Sequence, residues 1–159
     1  LPMRLLRALP MVLAASLLAC GEEEKDDPGH TIAATPLAGQ INAKPWAFVA
    51  GATDSFLSDG EGFFTKLSPE ELPCQSFNGF EQPDFILLSV PREPGRHRLS
   101  LSRNITFVVS IDGETENMVA TSGVLEVTEV TDTTVRGGLW ATFGSGYEVD
   151  GQFTATLCE

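Results

Sequence analysis

The chain has 159 residues, of which 22 are acidic and 10 basic, giving a formal net charge of −12. A surface of that sign is repelled by phosphates, so nucleic acid is not an expected partner. Its two histidines and three cysteines fall in no metal-ligand spacing, and neither a P-loop nor a Gly-x-Ser-x-Gly elbow occurs, so no cofactor is expected.

The first element reads Met3-Arg4-Leu5-Leu6-Arg7, followed by Ala8 to Leu18, apolar except for Pro10 and Ser16. Two arginines ahead of about ten apolar residues make the charged and hydrophobic regions of a secretory signal peptide. The run is shorter than the roughly 20 residues that a membrane-spanning helix needs. Its end, Leu17-Leu18-Ala19-Cys20-Gly21, resembles the lipobox of bacterial lipoproteins, although the family more often has a smaller residue where Leu18 stands. The resemblance implies that residues 1–19 are removed as a signal peptide and that the Cys20 thiol is diacylglycerylated to become the anchored N-terminus. In that family an aspartate after the cysteine retains the protein in the inner membrane. Gly21 therefore points to a bacterial cell-envelope protein lipid-anchored at the outer membrane, with the membrane as its first partner. Two or three acyl chains give a stable anchor where one does not.

After Cys20 comes GEEEKDDPGHTIAATP, too charged and too poor in large apolar residues to bury a core. Residues 20–36 are thus expected to be a flexible acidic tether carrying the lipid. Loss of Arg4 and Arg7 with the leader takes the formal charge near −14.

Residues 37–159 are long enough for one domain with its own core. Strands are predicted in LAGQIN, PWAFVAGAT and GFFTKL. In SPEEL, Ser68 as cap, Pro69 in the first helical position and Glu71 closing a capping box predict one helical turn. DFILLSV is apolar on both faces, as a central strand would be. RHRLSLS places His97, Leu99 and Leu101 on one face. SRNITFVVSIDG places Ile105, Phe107, Val109 and Ile111 on one face and stops at the turn pair Asp112-Gly113. NMVAT and GVLEVTEV follow, with Val130 breaking the parity of Leu125 and Val127, as a bulge or a turn would. VRGGLWATF and DGQFTATLC alternate again around a GSGYE hairpin loop. The fold class expected is all-β: a single antiparallel β-sandwich or small β-barrel of about eight to ten strands, with one short helical turn.

GVLEVTEVTDTTVRGGLWATF followed by VDGQFTATLC, and the opening AGQINAKPWAF, are similar to the C-terminal half and the first hairpin of small bacterial β-rich lipoproteins of unassigned function. The likeness covers about a third of the chain and implies a fold, not an activity.

With Cys20 assigned to lipid, Cys74 and Cys158 remain as an even pair in an exported, oxidising compartment, and a disulfide is expected between them. Four arginines, Arg92, Arg96, Arg98 and Arg103, crowd around the Pro94-Gly95 turn. Arg96 and Arg98 share a strand face from which they could meet a phosphate or carboxylate. Trp140 falls on the polar parity of its strand beside Arg136, where an exposed ring would stack a sugar; a glycine-pair bulge at Gly137-Gly138 would instead return it to the core. Arg96, Arg98, Arg136 and Trp140 are therefore the candidate ligand-binding residues, for an envelope polysaccharide or an anionic group. His97 reads as a partly buried structural histidine. Glu126 with Asp150 is a carboxylate pair of the kind a glycosidase uses, but nothing in the sequence singles it out. Asp112 to Asn117 lacks the spacing of a calcium loop. The expectation is a non-catalytic, lipid-anchored envelope domain, with a carbohydrate or anionic-ligand binder and an envelope hydrolase as alternatives.

Overall fold

Asp112 and Gly113 both adopt positive φ, 53° and 84°, the backbone of a two-residue turn whose twist matches paired strands. The chain therefore returns directly from β7 (Ile105–Ile111) to β8 (Glu114–Val119). Asn42 and Ala43, at 53° and 57°, do the same between β1 (Ala38–Ile41) and β2 (Lys44–Ala47). The Ala43 amide donates to the Gly146 carbonyl at 2.9 Å, which holds that hairpin against the loop before the last strand. The remaining strands are β3 (Ala50–Asp54), β4 (Gly62–Ser68), β5 (Phe85–Pro91), β6 (Gly95–Arg98), β9 (Ser122–Val130), β10 (Thr134–Thr142) and β11 (Glu148–Thr156). These coordinates come from a computed structural model that describes residues 29–74 and 83–159.

The strands join in one continuous sheet, in the order β6-β9-β10-β11-β3-β4-β5-β7-β8, with β1 paired to β11 and to β2. It curls into half a barrel, an all-β fold as the alternating sequence requires. The curl divides it into two halves, β6-β9-β10-β11 and β3-β4-β5-β7-β8. Inside it lie Leu125, Leu139, Val149 and Phe153 from the first half, and Leu67, Ile86, Leu88, Ile105 and Phe107 from the second; all belong to one buried cluster. Each such side chain contributes about 1.5–3 kcal/mol on burial. Trp46 joins this core and donates its indole N–H to the Asp84 carbonyl at 2.8 Å.

Several local expectations change. One junction is parallel: β11 meets β3 through only two register pairs, Ala155 with Gly51 and Thr156 with Ala52. PWAFVAGAT divides into β2 and β3, which brings the count to eleven. No helix occurs among the described residues, and SPEEL forms none because Ser68 is the last residue of β4, paired with Ala50. Its hydroxyl accepts the Glu70 amide at 3.1 Å, a tight turn in place of a cap. RHRLSLS is strand only to Arg98; Leu99 is buried, but Leu101 lies in the following loop and is 81% exposed. The bulge falls at Thr128, since Gly137 pairs with Val127 and Arg136 with Glu129, while Val130 stays paired with Val135. Cys74 and Cys158 form the expected disulfide, with Cα atoms 5.4 Å apart.

The tether also changes at its end. Residues 29–36 lie against the sheet: the Gln152 amide donates to Thr35 O and the Leu37 amide to Gln152 O, both at 2.9 Å, so that Leu37 enters the core fully buried. The crossing requires Gly151. A Cβ there would stand 2.6 Å from Thr35 O and 2.7 Å from Leu37 Cα, and its φ of 140° is one that side-chain-bearing residues rarely adopt. Composition alone marks this segment as flexible; its backbone is held chiefly by acceptors and donors on β11, more than a hundred residues away.

Candidate functional site

Cross-strand pairs project from the same face of a sheet, and the register puts the four candidates on one face. Arg98 pairs with Val124, Val124 with Trp140 and Trp140 with Asp150. In the next row, Arg96 pairs with Glu126, Glu126 with Gly138 and Gly138 with Gln152. Beyond the bulge, Arg136 lies between Glu129 and Thr154. This is the outer surface of β6, β9, β10 and β11. Trp140 is on it and not in the core, because the bulge precedes Gly137 and leaves the parity of β10 itself intact.

The face is occupied by the chain's own N-terminal segment. The His30 imidazole stacks on the Trp140 indole, with ring centroids 4.4 Å apart and planes 13° from parallel. His30 Nε2 donates to Asp150 Oδ2 at 2.8 Å, and the Ala33 amide donates to Asp150 Oδ1 at 2.9 Å. Gln152 Nε2 donates to Ala33 O at 2.9 Å, and Arg96 Nη2 to His30 O at 2.7 Å. Trp140 Nε1 donates to Glu148 Oε1 at 3.2 Å. Arg136 pairs with Glu129 at 3.3 Å, with both side chains more than half exposed, a pair worth well under 1 kcal/mol. Gly138 leaves the room that Ile32 fills: a Cβ would meet Ile32 Cγ2 at 2.8 Å.

Chemically this surface is a strapped platform. The Trp140 face that would receive a sugar carries His30, and both oxygens of Asp150 are engaged by the strap. Glu126 and Asp150 lie on different rows of an open sheet surface, not across a cleft. Arg98 projects from β6 at the rim, and Arg103 reaches back to its carbonyl at 3.2 Å. His97 is half-buried opposite Leu125, and its Nε2 donates to Glu93 O at 3.1 Å. Among the described residues no three of His, Cys, Asp and Glu converge as a metal site would require. Cys20 lies outside the described residues.

Sequence reasoning missed His30, Ile32 and Gln152 as parts of this surface; the nearest signals were the glycines at 138 and 151, which mark close approach of other chain. It also missed a groove of about 400 Å³ on the outside of the other half, whose lining includes Leu87, Ser89, Asn104, Thr106, Asn117 and Val119, none of them charged. The groups whose titration the fold shifts lie away from the strapped face. The amides of Glu61 and Gly62 hold the Asp59 carboxyl below its usual range. Burial pushes the Lys66 ammonium down, while its Nζ sits 4.0 Å over the Phe85 ring. Burial, with the nearby Asp84 and Glu116 carboxylates, pushes the Tyr147 phenol up. No protein family, curated protein or solved structure matches the chain.

Proposed function

We propose that the chain is a lipid-anchored protein of the bacterial cell envelope, held at the outer membrane through Cys20, with a β domain that works by contact and not by catalysis. The observation that carries this reading is the Cys74–Cys158 disulfide. It fits an oxidising compartment outside the cytoplasm, and it uses both remaining cysteines, leaving Cys20 alone behind the apolar leader. The strapped face supports a non-catalytic role, because the carboxylate and the aromatic ring that chemistry or sugar stacking would need are bonded to His30 and Ala33.

Replacement of Cys20 tests the reading. The Cys20→Ala protein is expected to stay unprocessed or become soluble and to take up no labelled fatty acid. If it is processed and fractionates with membranes as the wild type does, anchoring through Cys20 is wrong.

A further inference from the structure

We infer that the outer surface of β6, β9, β10 and β11 is the face the domain turns toward the bilayer, where its arginines meet the phosphates of anionic lipid headgroups. This rests on the lipidation proposed above and adds to it an orientation and a contact surface. Cys20 precedes Gly29 by nine residues, which span at most about 30 Å fully extended. A globular domain of this size has a radius of gyration of about 14 Å, so a path from the strapped face round to the opposite face is roughly 55 Å long. The tether cannot cover it. Because the strap pins His30 over Trp140 and Asp150, the lipid is held to the side of the molecule from which the strap leaves.

Charge separates the two halves by degree. The basic residues among those described are Lys44, Lys66, Arg92, Arg96, Arg98, Arg103 and Arg136; Arg96, Arg98 and Arg136 lie on this face and Arg103 beside it, whereas Arg92 reaches the other half, over the Phe63 ring and to Asp59 O. Glu126, Glu129, Glu148 and Asp150 share this face with the arginines; Glu129 is paired with Arg136, Glu148 accepts from the Trp140 indole and Asp150 is engaged by the strap. The other half carries Asp54, Asp59, Glu61, Asp84, Asp112, Glu114 and Glu116 against Lys66 and Arg92, so an anionic bilayer repels it more strongly than it repels the strapped face.

The test uses the lipidated wild-type protein in vesicles of phosphatidylcholine and phosphatidylglycerol, compared with the same protein in detergent. An arginine-directed dicarbonyl and hydroxyl radicals label the exposed side chains, which are then read by mass spectrometry. On vesicles, modification of Arg96, Arg98 and Arg136 is expected to slow several-fold, while oxidation of Phe56, 93% exposed on the other half, is unchanged. Protection of Phe56 and Val119 instead, or arginines that react equally in vesicles and detergent, overturns the inference. The N-terminal peptide in the same digest reports acylation: an unmodified Cys20 overturns the anchoring proposal as well, whereas an acylated Cys20 with the wrong face protected overturns the orientation alone. In a His30→Ala, Gln152→Ala protein the leash lengthens, and arginine protection is expected to fall while vesicle binding persists. Protection equal to wild type in that variant excludes the strap as the orienting element.

Discussion

The imidazole of His30 lies flat on the indole of Trp140 and is fixed there by the Asp150 carboxylate 2.8 Å from Nε2. A stacked aromatic pair is worth about 0.5–1.5 kcal/mol and the hydrogen bond about 1 kcal/mol. His30→Ala is therefore expected to cost about 2.5 kcal/mol at most, and to leave the β core intact because the strap lies outside it. Trp46 is only 6% exposed, so any change in indole emission comes from Trp140. A red shift of fluorescence in His30→Ala is the expected outcome; unchanged emission would mean that the stack does not persist in solution.

Two glycines test the path of the strap separately. A Cβ at Gly138 would meet the ends of the Gln152 and Ile32 side chains, at 2.6 and 2.8 Å, whereas one at Gly151 would meet backbone atoms of Thr35 and Leu37. Side-chain ends swing away; backbone does not. Gly138→Ala is expected to lower stability by about 1 kcal/mol or less, and Gly151→Ala by about 3 kcal/mol. Chemical denaturation checks both, and equal losses would contradict the crossing of residues 35–37 over Gly151.

What was legible in the sequence was whatever is decided within a few residues. Ile105, Phe107 and Val109 alternate and stop at Asp112-Gly113, and the structure places that strand, that face and that turn as read. The disulfide followed from counting cysteines once Cys20 was set aside. The failures share one cause, competition from partners distant in sequence. Ser68 has the pattern of a helix cap, but pairing of β4 with β3 claims it first. Leu101 keeps the parity of Leu99, but the chain leaves the sheet after Arg98. Residues 29–36 have the composition of a linker, yet Asp150 and Gln152 supply hydrogen bonds that no local pattern announces. The face gathering Arg96, Arg98, Arg136 and Trp140 was half legible: parity put each residue outward, but only the register of β6, β9 and β10 puts them side by side.

Tyr147 gives a pH dependence with a direct optical readout, because it is the only tyrosine in the chain. Its phenol packs against Phe107 and Phe143, and burial, helped by the Asp84 and Glu116 carboxylates, raises its pKa above the ordinary value near 10. The native state then holds the proton more tightly than the unfolded chain does. Its contribution is complete below pH about 10 and is lost as the pH rises through the raised value. The tyrosinate absorbance of the native protein is expected to titrate above that of the protein in denaturant, and Tyr147→Phe is expected to remove the signal. A native midpoint at or below the denatured one would contradict the buried setting.

The disulfide stands beside the narrowest junction of the sheet. Among the described residues, strand pairing joins the two halves of the curl only through the β11–β3 pairs Ala155 with Gly51 and Thr156 with Ala52, and Cys158 follows two residues later. Its amide donates to Thr53 Oγ1 at 3.0 Å, while its sulfur is bonded to Cys74, 84 residues away in sequence. The hydrogen bond holds the end of the last strand to β3 and the covalent bond ties it to the segment after β4, where strand pairing is thinnest. Closing a loop of that length is worth about 4.5 kcal/mol in the chain-entropy account, less any strain in the native state. The double replacement Cys74→Ser, Cys158→Ser is expected to lose about 2–4 kcal/mol, a fall of roughly 10 °C in melting temperature for a domain of this size. Because the junction opens first, amide exchange in β3 and at the end of β11 is expected to rise well before that in β7 or β9. The opposite pattern, with uniform loosening of all strands, would place the disulfide's effect in the unfolded chain alone. Two titratable thiols in native protein isolated from an oxidising compartment would remove the clamp altogether, leaving Thr53 and the two parallel pairs to hold the halves together.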